Sequence, residues 1–401
     1  MELSFDLVGT VAVASVILWF GLFLRRRITF LKEYNIPAPV IGGVLFALLR
    51  WGFLGRLDFT FDMTLQEPLM IAFFTTVGLG ASLRLLKRGG PQVLLFLVLA
   101  AGLVVLQNVV ALAVSKVTGL HPMLGLLAGS VTLSGGHGTG ATFAQTFTVD
   151  YGLVGAMELA MAAATFGLVA GSIIGGPVAR RLIGRHGLRS DDAGDGLGGS
   201  AEGDLAGQEA PDKATTVNDV LTTILQVSVA MYVGSLAFEQ LSALGIKLPT
   251  YLCALFVGIL IRNGADFSRA FTIHFKAVDF IGSVSLSLFL AMALMSLKLW
   301  QLLELAGPMA AILLAETALV GLYATFVTFP LMGRDYEAAI MSGGHCGFGM
   351  GATPNAVANM EALTANYGSA PRAFFVVPMV GAFFIDIVNA FVIQAFAALA
   401  G

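Results

Sequence analysis

The chain has 401 residues, of which 57% are hydrophobic and only 12% charged, and its formal net charge is -3. A soluble core with a polar exterior cannot accommodate this composition, so the protein is expected to lie in a membrane. The small net charge, with basic residues in short clusters between apolar stretches, excludes a nucleic-acid-binding surface. Cys253 and Cys346 show no CxxC spacing, which argues against a disulfide framework and a zinc site.

Ten segments are long and apolar enough to be predicted as membrane-spanning helices, each of which needs about 20 residues. The first is preceded by acidic residues and followed by three arginines, the reverse of a cleavable signal peptide, so a retained helix is predicted. In chain order the segments cover about 4–24, 36–54, 67–84, 92–117, 152–180, 217–240, 247–262, 278–297, 306–332 and 373–400.

The stretch 187–216 separates the fifth and sixth segments. It is rich in Gly, Asp, Glu and Ala and nearly free of large apolar side chains, which predicts a disordered linker. Basic residues near helix ends predict its side of the membrane, since cytoplasmic loops collect Lys and Arg. Placing the N-terminus outside puts 17 of the 22 Lys and Arg residues in inside loops. We therefore expect a multi-pass protein of the cytoplasmic (inner) membrane with both termini periplasmic and the linker cytoplasmic.

Two further apolar stretches, about 122–148 and 337–356, are interrupted by glycine runs. If they were counted as full spans, the Lys and Arg residues would no longer be concentrated in the loops on the inside of the membrane. Both are therefore predicted to be re-entrant loops, which membranes tolerate where protein or water satisfies the exposed backbone.

The glycine runs belong to an internal repeat. Ser134–His137 recurs as Ser342–His345, 208 positions later, and 138–142 match 349–353 after a three-residue insertion. Each half therefore has five spans and a re-entrant loop between its fourth and fifth helices. Because five is odd, the second half enters the membrane upside down. The predicted fold is all-α, with an N-terminal repeat at 1–186 and an inverted C-terminal repeat at 217–401.

The duplicated loops carry the residue types that a binding site needs. Glycine lets backbone turn tightly and approach a ligand. Helix N-termini beside such turns attract anions, and exposed carbonyls suit sodium. Close helix packing is the other explanation for small residues, but the duplication favours binding. The predicted substrate-binding residues are Ser134, Gly135, Gly136, Gly138, Thr139, Gly140, Thr142, Ser342, Gly343, Gly344, Gly349, Gly351, Thr353, Asn355 and Asn359.

Ionisable residues inside apolar spans are costly and often functional. Asp386 and Asn389 share one helical face at i, i+3, while Glu316 corresponds to Asn108 by the 208-residue offset. These residues are predicted to hold sodium, with a helix–helix hydrogen bond as the alternative for Asp386. Further candidate site residues are His137, His345, Glu158 and Arg372. The histidines are expected mainly to hydrogen-bond within their loops, and Arg372 either pairs a carboxylate or determines topology.

At these residues the sequence resembles the bacterial sodium/glutamate symporter family. The similarity is carried by SGGHGTGAT at 134–142, SGGHCGFGMGATPNAVANM at 342–360, FFTTVGLGASL at 73–83 and VVPMVGAFFIDIVNAFV at 376–392. It implies sodium-coupled uptake of L-glutamate, two five-helix domains of opposite orientation and a homodimer. Sodium ions would be the coupling ions, with no cofactor.

Three alternatives stay open on the sequence. The first is a sodium-coupled carrier of another small carboxylate, such as citrate or malate, because the fold alone does not choose the substrate. The second is an ion channel, which two re-entrant loops also suggest. The third is a membrane enzyme using Cys346 and His345, but adjacent residues seldom present their side chains to each other. We therefore expect a transporter and not an enzyme.

Overall fold

A computed structural model describes residues 2–34, 36–52, 58–84, 90–190, 215–244, 249–268, 271–295, 297 and 300–400. Most of the predicted linker, 191–214, lies outside the described residues. The elements are almost entirely helical, as expected for an all-α membrane protein.

The described residues of the first half form a short strand pair and eight helices. In chain order these are β1 Glu2–Phe5, α1 Leu7–Arg27, α2 Thr29–Glu33, α3 Ala38–Gly52, β2 Asp58–Phe61, α4 Gln66–Gly80, α5 Gly90–Thr118, α6 Pro122–Leu126, a π-helical turn Leu127–Val131, α7 Gly136–Tyr151 and α8 Ala156–His186. The strands pair in parallel, with Glu2 opposite Asp58 and Phe5 opposite Phe61. This small sheet was not predicted.

The second half is helical throughout its described residues. In chain order its elements are α9 Val217–Ala243, α10 Thr250–Ser268, α11 Phe275–Met295, α12 Trp300–Tyr323, a π-helical turn Ala324–Thr328, α13 Phe329–Leu331, α14 Tyr336–Met350, α15 Thr353–Tyr367, α16 Pro371–Phe383 and α17 Ile385–Ala400.

Seven of the described helices are long and apolar enough to cross a membrane, and α16 with α17, bent by 45°, makes up to eight. These spans establish a polytopic membrane protein. Two of the ten predicted segments, 36–54 and 67–84, instead form helices of 15 residues, α3 and α4. At about 1.5 Å per residue such helices rise only about 22 Å, less than the hydrocarbon thickness.

The chain divides into two compact units that do not follow the two halves of the sequence. The first unit comprises Met1–Leu24, Pro37–Arg88 and Ala206–Leu297, and the second comprises Arg25–Ile36, Gly89–Leu205 and Lys298–Gly401. Each half therefore contributes three helices to the first unit: α1, α3 and α4 from the first half, and α9, α10 and α11 from the second. The other two predicted spans of each half belong to the second unit, together with the glycine-rich stretch of that half.

In the first unit, two glycines bring α1 and α3 into contact. A Cβ on Gly21 would lie 1.9 Å from the carbonyl oxygen of Ala38, and a Cβ on Gly42 would lie 2.1 Å from that of Ile17. Both distances are far inside van der Waals contact, so only glycine permits this approach. Further along the unit, α4 packs against α10 and α11, and α3 packs against α11.

The second unit contains every helix break that matters for the site. The chain leaves helical geometry at Ser134–Gly135, at Gly351–Ala352, and at the bend after Phe383. Around these breaks, α5, α8 and α12 supply long packed helices. All predicted binding residues lie in this unit.

Candidate substrate and ion sites

Two helix breaks lie next to each other in the second unit. The first break ends at Gly136, whose φ of 68° is in the left-handed region that favours glycine. A Cβ on Gly136 would lie 3.6 Å from the carbonyl oxygen of Gly351, which forms the second break. The glycine-rich stretches of the two halves therefore meet at their breaks.

The helices that follow these breaks begin without side-chain caps. The N-cap residues Gly135 and Ala352 make no side-chain cap hydrogen bond, and α7 and α15 start there. Backbone N–H groups of a first helical turn have no partner within the helix and carry the positive end of its dipole. Two neighbouring helix ends of this kind form a site suited to carboxylates.

Gln107, which the sequence analysis did not select, joins the two glycine-rich stretches. Its Nε2 donates to the carbonyl oxygen of Gly349 at 2.8 Å, and its Oε1 accepts from the Ser134 hydroxyl at 2.6 Å. Gln107 is fully buried in α5. It directly precedes Asn108, and a polar pair inside an apolar helix was the signal that could have identified it.

The two SGGH copies have different structures. In the first copy, Gly135 and Gly136 form the break before α7. In the second copy, Gly343 and Gly344 lie inside the continuous helix α14, which breaks only at Gly351. The Ser342 hydroxyl donates to the carbonyl oxygen of Ala338 at 2.8 Å, within the same helix. The break therefore falls eight residues later in the second motif than in the first.

The remaining loop residues are mostly buried and packed. A Cβ on Gly140 would lie 2.8 Å from the side chain of Thr132, and one on Gly344 would lie 2.9 Å from Met360 Sδ. Thr353 is half-buried, and its Oγ1 would lie 2.7 Å from a Cβ on Gly381, just before the bend of α16. Buried in α7 are Gly138, Thr139, Gly140 and Thr142.

Asn355 and Asn359 attach α15 to α8. The Asn355 amide donates to the carbonyl oxygen of Leu168 at 2.9 Å and to the Ser172 hydroxyl at 2.7 Å. The Asn359 amide donates to the carbonyl oxygens of Gly171 at 3.0 Å and Gly343 at 3.3 Å. Their amide nitrogens are thus used in helix contacts, while the buried Oδ1 of Asn355 has no hydrogen-bond partner among the described residues.

A second polar cluster lies at the π-helical turn before the first break. The carbonyl-type oxygen of Asn108 accepts from the Ser130 hydroxyl at 2.9 Å and from the Ser130 N–H at 3.3 Å. Asn389 of α17 bonds the same serine through both its amide nitrogen and its amide oxygen. The structure therefore brings together two predicted sodium residues, Asn108 and Asn389, around Ser130, which was not predicted.

The other predicted ion-binding residues take separate positions. Asp386 is half-buried in the first turn of α17, one turn before Asn389. Glu316 is fully buried in α12, and neither of its carboxyl oxygens has a hydrogen-bond partner among the described residues. Glu158 is buried in the first turn of α8.

Both candidate histidines bond to threonines outside their own loops. His137 Nε2 lies 3.0 Å from Thr165 Oγ1 on α8, and His345 Nδ1 lies 2.8 Å from Thr328 Oγ1 in the second π-helical turn. The expectation of bonds within the loops was therefore wrong, because each loop packs against a helix that offers a hydroxyl.

Arg372 pairs with a carboxylate of the protein. Its guanidinium donates to both oxygens of Asp335 at 2.6 and 2.7 Å, and Asp335 caps α14 by accepting from the N–H of Ala338. Glu337 accepts from the N–H groups of Arg372 and Ala373, at the start of α16. Arg372 thus joins the N-terminal ends of α14 and α16.

The apolar spanning helices define a multi-pass membrane protein, and the paired, uncapped helix ends at the breaks resemble the discontinuous helices of secondary transporters. The sequence model of the sodium/glutamate symporter family matches residues 3–369, and the chain belongs to that family. This confirms the resemblance found in the sequence, and the family is one of transporters, not enzymes.

Relatives of known function are similar over almost their whole length. The sodium/glutamate symporter of Escherichia coli K12 is 46% identical over 401 residues, which cover 98% of this chain and 97% of that protein. The sodium/glutamate symporter of Haemophilus influenzae is 45% identical over 397 residues, covering 97% of this chain and 96% of that protein.

Proposed function

We propose that the protein takes up L-glutamate together with Na⁺ across the cytoplasmic membrane. The observation that carries this proposal is the meeting of two uncapped helix N-termini, α7 and α15, at adjacent breaks. Relatives at 45–46% identity are named sodium/glutamate symporters, which supports the same pair of transported species here.

Glutamate would bind with its carboxylates at these helix ends. The N–H groups of Gly136, His137 and Gly138 belong to the first turn of α7, and Thr353 begins α15. Preorganised backbone donors bind a carboxylate without the cost of burying a second full charge. The hydroxyl of Thr353 adds a neutral donor at the second break.

Sodium would bind at the cluster around Ser130. Asn108, Ser130 and Asn389 supply neutral oxygen atoms, the kind of ligand that hard cations prefer, and Asp386 lies one turn from Asn389 to supply negative charge. The π-helical turn also departs from helical geometry at Gly129, which frees backbone carbonyls for a cation.

The charge of the substrate sets the coupling. Glutamate carries a net charge of about -1 at neutral pH, so one Na⁺ makes the complex neutral. Uptake driven by an inside-negative membrane potential therefore needs more than one cation per glutamate. We propose at least two Na⁺ ions, which would make transport electrogenic.

The proposed mechanism is alternating access by an inverted repeat with two re-entrant loops. Two packing patterns support it. The repeat makes the pair α4–α10 equivalent to the pair α11–α3, and both pairs are in contact. It also makes α5 equivalent to α12, and these two helices run antiparallel. Loops entering from opposite faces would let the site be closed alternately to each side. A homodimer, periplasmic termini and a cytoplasmic linker complete the proposal.

The experiment is uptake of labelled glutamate into proteoliposomes with and without an inward Na⁺ gradient. We expect accumulation only with the gradient, and faster accumulation when the interior is made negative. Flux that is independent of the gradient would refute coupling. Stronger competition against labelled glutamate by citrate or malate than by unlabelled glutamate would identify another carboxylate as the preferred substrate.

A further inference from the structure

Glu316 is a buried carboxyl group that neither proposed binding site uses. It is 0% exposed and lies on one face of α12 with Ile312, Leu313 and Val320, which are at most 2% exposed. Both carboxyl oxygens lack a hydrogen-bond partner among the described residues. An acid in such surroundings is expected to serve a function, because burial without a partner is costly.

The depth of Glu316 follows from the contacts between α5 and α12. The Tyr323 hydroxyl donates to the carbonyl oxygen of Leu99 at 2.8 Å, and three residues earlier in α12, Val320 packs with Leu103 against Gly349. The two helices therefore run antiparallel. Continuing by four residues along each helix brings Glu316 to the level of Gln107 and Asn108.

Asn108 also has an unused polar atom at this level. Its Oδ1 accepts two hydrogen bonds from Ser130, but its buried Nδ2 has no partner among the described residues. An unpaired donor on α5 and an unpaired acid on α12 thus lie at the same depth of the second unit.

Charged neighbours do not explain an ionised Glu316. α12 packs against α5, α8, α14 and both π-helical turns. On these elements the titratable group nearest in depth is His345, whose Nδ1 bonds Thr328 and whose ring packs against Phe96 and Tyr323. The remaining titratable or charged groups of the packed elements lie toward helix ends or elsewhere in α14: Lys116, Glu158, Arg180, Arg181, Arg185, His186, Tyr336, Glu337 and Cys346.

We propose that Glu316 is a proton-binding site. An unpaired carboxylate in an apolar interior costs several kcal/mol, and taking up a proton from water removes that charge at once. The protonated acid is neutral, so no charge is then buried beside Ile312, Leu313 and Val320. The group releases its proton to water when the packing around α12 opens. This site is separate from the glutamate and sodium sites of the proposed function.

Infrared difference spectroscopy tests proton binding directly. The protein would be measured in lipid nanodiscs at neutral pH, without glutamate or sodium, and compared with Glu316→Gln. We expect the wild type to show a carboxylic-acid carbonyl band that is missing in Glu316→Gln and shifted in Glu316→Asp. Thr317→Val, whose hydroxyl bonds only to the carbonyl oxygen of Leu313, should keep the band. Identical spectra for wild type and Glu316→Gln would overturn the proposal.

Sodium-driven uptake across a pH series supplies the second readout. Wild-type uptake should fall at alkaline pH, where a deprotonated Glu316 would bury a charge, whereas Glu316→Gln, which mimics the protonated acid, should show a flat profile. The sodium concentration for half-maximal uptake should stay within about twofold of wild type in the variant, equivalent to less than about 0.5 kcal/mol. A tenfold weaker sodium response would overturn the proposal in favour of a sodium ligand. The infrared test needs no substrate, so its failure leaves the proposed transport function standing.

Discussion

Ser130 and Asn389 exchange two hydrogen bonds, although 259 positions separate them. The Asn389 amide donates to the carbonyl oxygen of Ser130 at 3.0 Å, and the Ser130 hydroxyl donates to Asn389 Oδ1 at 2.8 Å. Since Asn108 accepts from the same serine, three helical elements from both halves of the sequence meet at one residue. This cluster is our proposed sodium site.

Ser130→Ala should weaken the response to sodium. The substitution removes a hydroxyl ligand and its hydrogen bonds, worth about 0.5–1.5 kcal/mol, so the sodium concentration for half-maximal uptake should rise by up to about tenfold. Glutamate affinity at saturating sodium should change little. The measurement is uptake against sodium concentration, with Ser235→Ala as a control because Ser235 bonds only within α9. An unchanged sodium response would argue against this site.

Gly136→Ala should reduce glutamate uptake strongly. The left-handed φ of 68° costs a residue with a Cβ about 1–2 kcal/mol, and relief of that strain would turn the N–H groups of the α7 first turn away from the ligand. The matched control is Gly184→Ala, inside α8, where nothing lies within 4 Å of the added methyl group. We expect the control to transport normally. Normal glutamate affinity in Gly136→Ala would show that the N-terminal end of α7 does not bind glutamate.

Gly167→Ala should destabilise the protein. A Cβ at this position would lie 2.1 Å from the carbonyl oxygen of Met350, so α8 and α14 would have to separate. Overpacking of this kind costs about 1–3 kcal/mol, which should lower the melting temperature of the purified protein. Gly176→Ala, in the same helix but with no atom within 4 Å of the methyl group, should not. Equal melting temperatures would contradict the close contact.

Arg372→Gln should leave glutamate binding nearly unchanged. The guanidinium already bonds both oxygens of Asp335, and the two side chains are 28% and 47% exposed. Ion pairs of this exposure contribute about 0–1 kcal/mol. A double-mutant cycle with Asp335→Asn should show coupling in thermal stability and a change in KM below about twofold. A large rise in KM for Arg372→Gln alone would assign the arginine to the substrate.

The sequence predicted the class and most of the apolar spans, because composition and hydropathy record these features directly. It did not predict Gln107, although the pair Gln107–Asn108 inside an apolar helix was a usable signal, nor Ser130, a single polar residue in an apolar stretch that shows no periodic pattern. Nor could it show that Ser342–His345 lies inside a helix. The four residues are the same as at Ser134–His137, but in the second copy they lie in α14, which packs closely against α8: a Cβ on Gly171 would lie 3.0 Å from the carbonyl oxygen of Cys346.

The division into units also depended on tertiary structure. Hydropathy and the repeat predict two halves of five spans each, and that repeat stays a prediction. The compact units combine helices from both halves, and their composition follows from contacts such as Gly21 with Ala38 and Asn355 with Leu168. Neither contact can be read from one segment of sequence.

The two helix ends at the breaks are chemically unequal. α7 begins with Gly136, His137 and Gly138, all of which have an N–H group, whereas α15 has Pro354 in its first turn and the Asn355 N–H already donates to the carbonyl oxygen of Ala352 at 3.0 Å. A dicarboxylate bound between them would have one carboxylate at the α7 end, which offers more backbone N–H donors, and the other at the α15 end, which offers fewer. Its α-carboxylate and side-chain carboxylate would then not be interchangeable, and the ligand would be held in a single direction. Stereochemical selection between L- and D-substrates could rest on that inequality without any charged side chain.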